Sequence, residues 1–153
     1  MTGPDEANAG IIVRGIAVRD IPVVHDICAE LGYQSDQQSI GARINDIVHR
    51  AGHAVFVAAD DEDRPVGFIH VFGRHAIEIE PCAQVEALAV GEAARQGAAG
   101  ALLMGAAEQW ARAEGFAWIS LYCASTRDAA HQFYHDQGYD GALSATRFIK
   151  KLT

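Results

Sequence analysis

Gln84-Val85-Glu86-Ala87-Leu88-Ala89-Val90 runs directly into Gly91-Glu92-Ala93-Ala94-Arg95-Gln96-Gly97-Ala98-Ala99-Gly100-Ala101-Leu102-Leu103. The first seven residues read as a short apolar strand with one carboxylate set inside it. Small residues then make a tight turn. A long helix follows to about Glu114, with Leu102, Leu103, Ala106, Ala107, Trp110 and Ala111 at inward spacing and Gly115 as its stop. The first N–H groups of a helix lack partners within it, and small side chains let a ligand reach them. Such a helix start attracts anions, and Arg95 adds a full positive charge nearby. A turn kept small for close packing would look the same. The segment is neither GxGxxG nor GK[ST], which argues against dinucleotide and Walker-type sites.

Upstream, residues 11–16 form a β-branched run that reads as the first strand. Asp20 is placed to cap a helix with Pro22 in its first turn; Val23, Val24, Ile27 and Leu31 form its apolar stripe and Gly32 its end. Ser35-Asp36-Gln37-Gln38 has the capping-box pattern and opens a second helix striped by Ile40, Ile44, Ile47 and Val48. The period then changes. Residues 54–58 and 65–77 are extended, and the charged turn Asp60-Asp61-Glu62-Asp63 joins them as an antiparallel hairpin. Downstream, residues 118–122 read as a strand. Ser125-Thr126-Arg127-Asp128 starts a helix that ends at Gly138, and residues 143–152 are extended enough to finish the sheet. The predicted order is β-α-α-β-β-β-α-β-α-β, an α/β fold with a largely antiparallel first half. Residues 1–10 are expected to be a disordered lead-in and 11–153 a single domain.

With 153 residues, 50% apolar and 21% charged, the chain can bury a core and is not expected to be disordered as a whole. A net charge of −8 argues against a protein that coats nucleic acid, so no nucleic-acid partner is expected. No run approaches the ~20 apolar residues of a membrane span, and the start is polar and acidic rather than leader-like. Cys28, Cys82 and Cys123 are widely spaced and odd in number, which suits buried thiols in a reducing cytoplasm better than disulfides.

Two residues stand out chemically. Glu86 is a carboxylate in an apolar strand just ahead of the anion-attracting turn. Partial burial would raise its pKa toward general-base work, while a solvated strand edge would explain it equally. Tyr134 shares a helical face with Ala130, Phe133 and Gln137, and a buried tyrosine hydroxyl is a candidate proton donor. His131 and His135, like His49 and His53, stand at i, i+4. Neither pair has HExxH or a third ligand, so no metal is expected.

Together these segments resemble the GNAT superfamily of acyl-CoA-dependent N-acetyltransferases, and its small single-domain, aminoglycoside-acetyltransferase-like members in particular. The likeness covers residues 11–152. It rests on the opening strand with two helices, Val66-Gly67-Phe68-Ile69, and Val85-Glu86-Ala87-Leu88-Ala89-Val90 before the glycine turn. Ala130-His131-Gln132-Phe133-Tyr134 with Gly138-Tyr139, and the closing Arg147-Phe148-Ile149-Lys150-Lys151-Leu152, complete it. The family's loop pattern Q/R-x-x-G-x-G/A falls on residues 94–99. Gly97 and Ala99 match, whereas Ala94 departs from it and Arg95 stands next to the departure.

The resemblance implies a mixed, largely antiparallel sheet split between its fourth and fifth strands and flanked by about four helices. Acetyl-CoA would lie in the split as cosubstrate. Its pantetheine arm would run along Leu88, Ala89 and Val90, and its pyrophosphate would meet Arg95, Gln96, Gly97, Ala98, Ala99, Gly100 and Ala101. The resemblance further implies direct attack by a primary amine of a small molecule or peptide. Glu86 would serve as base, Tyr134 as acid and Leu88 N–H as the carbonyl's hydrogen-bond donor. The acceptor would be lined by the first two helices and the hairpin, near Tyr33, Gln34 and residues 72–79. A homodimer is compatible with the family. The alternative is a non-catalytic acyl-CoA-binding sensor or regulatory module of the same fold.

Overall fold

Alternating apolar residues in the middle of the chain fold as strands, and the helical stripes on either side cover them. A computed structural model describes residues 10–95, 97–124, 127–141 and 143–153. Its sheet holds β1 (Ile12–Gly15), β2 (His53–Ala59), β3 (Pro65–Arg74), β4 (Cys82–Val90) and β5 (Ile119–Leu121), in that spatial order. Neighbours are antiparallel from β1 to β4, and β5 joins β4 in parallel. The helices are α1 (Ile21–Glu30), α2 (Gln37–Val48), α3 (Ala99–Ala113) and α4 (Asp128–Asp136). The chain divides into two compact units. The first ends at Leu121 and holds the sheet with α1 to α3; the second, Tyr122–Thr153, holds α4.

Strand alternation decides which helix covers which face. Val57 and its cross-strand partner Phe68 point toward α1 and α2, joining Val24 and Ile40 in a core cluster with Ile16, Cys28 and Ile44. Gly67 points to the opposite face, beneath α3. A Cβ there would stand 2.9 Å from the Ala89 carbonyl oxygen and 3.2 Å from Leu103 Cδ1, so only glycine lets α3 settle this close. The buried stripe of α3 is Ala99, Leu103, Met104, Ala107 and Ala111. It is rotated toward Met104 from the stripe expected through Leu102, Ala106 and Trp110.

Several details differ from the sequence reading. The cap of α2 is Asp36, whose carboxylate accepts the Ser39 N–H (2.7 Å); Ser35 instead accepts from Arg43. Ser125 and Thr126, expected to start α4, lie outside the described residues. β3 ends at Arg74, and Ile77 beyond it is fully exposed. The tail of residues 143–153 forms no strand, and Phe148, Ile149 and Leu152 are exposed. An extended segment becomes a strand only by pairing, and the second unit has no other strand among its described residues.

Asp20 occupies the cap position of α1 but makes no side-chain cap. It is buried instead, and its carboxylate receives both Nη groups of Arg14 (2.7 and 2.9 Å) and the Ala17 N–H (2.7 Å). Arg14 also donates Nε–H to Asp63 in the β2–β3 turn (2.9 Å), and Asp63 accepts from Arg19 (2.7 Å). This network ties the β1–α1 junction to the hairpin. Burial alone would raise the Asp20 carboxyl pKa, but the Arg14 guanidinium and the Ala17 amide outweigh it and hold it below the usual range. A lowered carboxylate contributes stability above its unfolded pKa and loses it as pH falls through the folded one. Asp20→Asn should therefore cost about 3 kcal/mol at pH 7 by urea denaturation, at the low end for a buried pair losing one partner. The gap to the parent should narrow below about pH 4; a gap independent of pH would contradict the assignment.

Candidate active site

β4 is paired along its whole length on one side and only at its start on the other. It runs antiparallel to β3 from Cys82 to Val90, whereas β5 meets only Ala83, Gln84 and Val85. Among the described residues no strand continues that second pairing, so the outer edge of β4 is open from Glu86 to Val90. This is the split expected between the fourth and fifth strands. Gly91 N–H donates to the Val66 carbonyl (2.7 Å), and hydrogen-bonded pairs alternate along an antiparallel ladder. Ala89 and Ala87 therefore turn their peptide groups toward β3. Leu88 and Val90 turn theirs to the open edge.

The same register skips Glu86. Val71 faces Val85 and His70 faces Ala87, leaving Glu86 as the extra residue of a β-bulge. A bulge bends its strand and re-aims the side chain it carries. Glu86 is exposed, which selects the solvated alternative over partial burial: the bulge lifts it out of the ladder.

Beyond Val90 the chain makes a 3₁₀ turn at Glu92–Ala94, and Gly97 N–H donates to the Ala94 carbonyl (3.1 Å). The first four-residue bond of α3 runs from Leu102 N–H to the Ala98 carbonyl (3.0 Å), and among the described residues no side chain caps the helix. The N–H groups of Ala98, Ala99, Gly100 and Ala101 precede that bond and have no partner inside the helix. Fifteen residues of helix behind them supply a partial positive charge. Arg95 is exposed and donates Nε–H to the Val90 carbonyl (3.3 Å), which holds its side chain between the strand end and the loop. A Cβ at Gly97 would make an ordinary 3.4 Å contact, so packing within the protein does not demand that glycine. Gln96, expected in the same set, lies outside the described residues. Glu30, at the end of α1, accepts the Glu92 N–H (2.9 Å) and ties that helix to the loop.

In the second unit Tyr134 is half-buried on α4, edge-on to Phe133 and Tyr139, with ring centroids 5.3 and 6.2 Å apart. Burial pushes its hydroxyl pKa up and the Cys123 thiol acts in the same direction, against Arg127. The proton therefore stays in place at neutral pH, as a proton donor requires. His131 donates a ring N–H to the Ala124 carbonyl (2.9 Å) and His135 is exposed. Among the described residues no three His, Cys, Asp or Glu side chains gather as metal ligands.

Sequence reasoning missed one cluster. His53 Nδ1 lies 3.0 Å from His70 Nε2, and both rings stand beside Phe72. His53 pairs with Phe72 and Val55 with His70, so strand alternation puts all three rings on the face that bears Val57 and Phe68. The alternation is visible in the sequence; the register that joins the strands is not.

The strand with an open edge thus leads directly into a helix whose first N–H groups lack helical partners. The chain belongs to the acetyltransferase (GNAT) family, whose pattern matches residues 21–139, and is an N-acetyltransferase by class. In fold it is similar to aminoglycoside N-acetyltransferase AAC(6')-Iy, solved in complex with CoA, at 16% identity and TM-score 0.82 over 92% of this chain and 95% of that one. Aminoglycoside antibiotic 6'-N-acetyltransferase AAC(6')-Ih from Acinetobacter baumannii is 14% identical with TM-score 0.81, over 94% of this chain and 100% of that one. A transcriptional regulator from Bacillus halodurans C-125 is 19% identical with TM-score 0.80, over 92% of this chain and 99% of that one. Comparison with curated proteins gives no sequence match.

The histidine pair has a measurable consequence. Burial, and then the charge of His53, push His70 from 6.5 down to about 4. Between those values the unfolded chain binds the extra proton, so folding stability should fall as pH drops from 6.5 to about 4. His70→Phe keeps a ring but cannot titrate, and should flatten that slope in urea denaturation across the interval. Equal slopes for parent and variant would contradict the assignment.

Proposed function

We propose that the chain transfers the acetyl group of acetyl-CoA to a primary amine by direct attack. One observation carries this reading: the open edge of β4, presenting the peptide groups of Leu88 and Val90, leads into the uncapped start of α3. The pantetheine arm adds to that edge as a strand would. Arg95 already engages the Val90 carbonyl, so the Leu88 carbonyl and the Val90 N–H serve this contact. The diphosphate binds the N–H groups of residues 98–101, with Arg95 and Gly97 beside it.

Leu88 N–H donates to the thioester carbonyl, where negative charge gathers as the amine attacks. An ammonium has no lone pair, so a proton must leave first, and the exposed Glu86 carboxylate takes it directly or through water. The new C–N bond forms, the C–S bond breaks, and the departing thiolate takes the proton of Tyr134. The second proton of the attacking nitrogen, lost as it becomes an amide, restores the Tyr134 hydroxyl through water, and Glu86 releases its proton to solvent. The acceptor is a small-molecule amine, a reading the fold likeness to aminoglycoside acetyltransferases favours. A non-catalytic acyl-CoA-binding regulator is the second reading, favoured by Ala94 in the loop and by the likeness to the Bacillus halodurans regulator.

Acetyl-CoA should raise the melting temperature, because it binds the native state alone. Glu86→Gln and Tyr134→Phe should each lower amine-dependent thiol release by about 10²- to 10⁴-fold while acetyl-CoA affinity holds. Unchanged turnover in either variant removes that residue from the scheme. A melting shift without thiol release from any amine selects the regulator.

A further inference from the structure

Gln84 breaks a rule of buried polar groups. It is 9% exposed, and its side-chain carbonyl oxygen is buried without a hydrogen-bond partner among the described residues. Such groups are nearly always satisfied in native proteins, so an orphan points to a ligand or a water. Its position is informative. The register aligns His53, Phe72, Gln84 and Ser120 across β2, β3, β4 and β5, so their side chains share one sheet face. His70 stands on the same face one step along β3, opposite Ala87 and beside the Glu86 bulge. Gln84 is itself two residues from Glu86, about 7 Å along the strand.

Resting on the transferase reading above, we infer that Gln84 and the rings of His53, His70 and Phe72 form the subsite for an acceptor whose primary amine is carried on an apolar, ring-bearing stem. The orphan oxygen of Gln84 accepts one amine N–H, which orients the amine near Glu86. The rings take the stem by stacking. At 3.0 Å one histidine nitrogen donates and the other accepts, so the pair cannot hold two positive charges. Burial keeps His70 uncharged at neutral pH. The uncharged rings of His70 and Phe72 tolerate a single incoming cation, which the face of Phe72 attracts. Of the residues named for this subsite and its neighbour on β4, Glu86 alone carries a carboxylate, so these groups offer a polycation little to bind.

The test compares 2-phenylethylamine, spermidine and kanamycin as acceptors, with the full-length parent, Gln84→Met, His70→Phe and His70→Ala. Phenylethylamine should show a KM at least tenfold below the other two. Gln84→Met should raise that KM at least tenfold, keep the acetyl-CoA affinity, and melt no lower than the parent, because it removes an unsatisfied group. His70→Phe should keep most of the affinity for phenylethylamine and His70→Ala should lose it. A Gln84→Met enzyme with unchanged KM overturns the inference, as does a parent that prefers the polycations. If the parent releases thiol with no amine, the transferase reading is what fails. Calorimetric titration of phenylethylamine into CoA-saturated protein then decides the subsite. Tenfold weaker binding by Gln84→Met upholds it, and equal binding overturns it.

Discussion

The parting of β4 from β5 after Val85 is the constraint on which the rest of the molecule turns. Up to that point β4 is an interior strand, with hydrogen bonds on both sides and Cys82, Ala83, Gln84 and Val85 all buried. Beyond it no strand among the described residues pairs with the outer edge. An unpaired edge is ordinarily a liability that proteins cover or blunt. Here the open stretch is five residues long and ends at the turn into α3. The two peptide groups aimed outward, at Leu88 and Val90, have the spacing of an incoming strand.

Other features make sense as supports for that edge. The Glu86 bulge marks the place where the pairing ends and sends a carboxylate out of the ladder. Gly67 lets α3 lie close across β3, which fixes where the uncapped end of α3 falls relative to Val90. Glu30 ties the end of α1 to the loop at Glu92, and the buried Asp20–Arg14 pair ties the beginning of α1 to the hairpin. Much of the first unit's polar bonding thus anchors elements around one strand. Gln84, whose buried side-chain oxygen has no hydrogen-bond partner among the described residues, is the exception, and unsatisfied groups in native folds tend to mark function.

Much of the fold was legible because its signals are local. Helix α2, the charged turn at residues 60–63, and the strand–turn–helix from residue 84 onward are all written within short windows and form as read, although the α2 stripe keeps Ile40, Ile44 and Ile47 covered and leaves Val48 exposed. Single-residue choices were less legible. Ser35 and Asp36 are both good caps, and only the backbone path decides between them. The stripe of α3 drifted to Met104 because alanines on every side leave the apolar face poorly marked. The tail looked like a strand because extended propensity is local, whereas pairing needs a partner elsewhere. The site divided the same way. Glu86 and the loop could be seen in one window, but the exposure of Glu86, the His53–His70 contact and the orphan at Gln84 depend on inter-strand register. Register is set by non-local packing and cannot be read from one segment.

The central claim is that a coenzyme thioester completes the unfinished edge of β4 and rests its diphosphate on the start of α3. Residue-resolved amide hydrogen exchange, with and without saturating CoA, tests this most directly. The account predicts slowed exchange at Leu88 and Val90 and at residues 98–101, with the β3-facing amides of Ala87 and Ala89 little changed. Binding of CoA that leaves Leu88, Val90 and the start of α3 exchanging as in the free protein would contradict it.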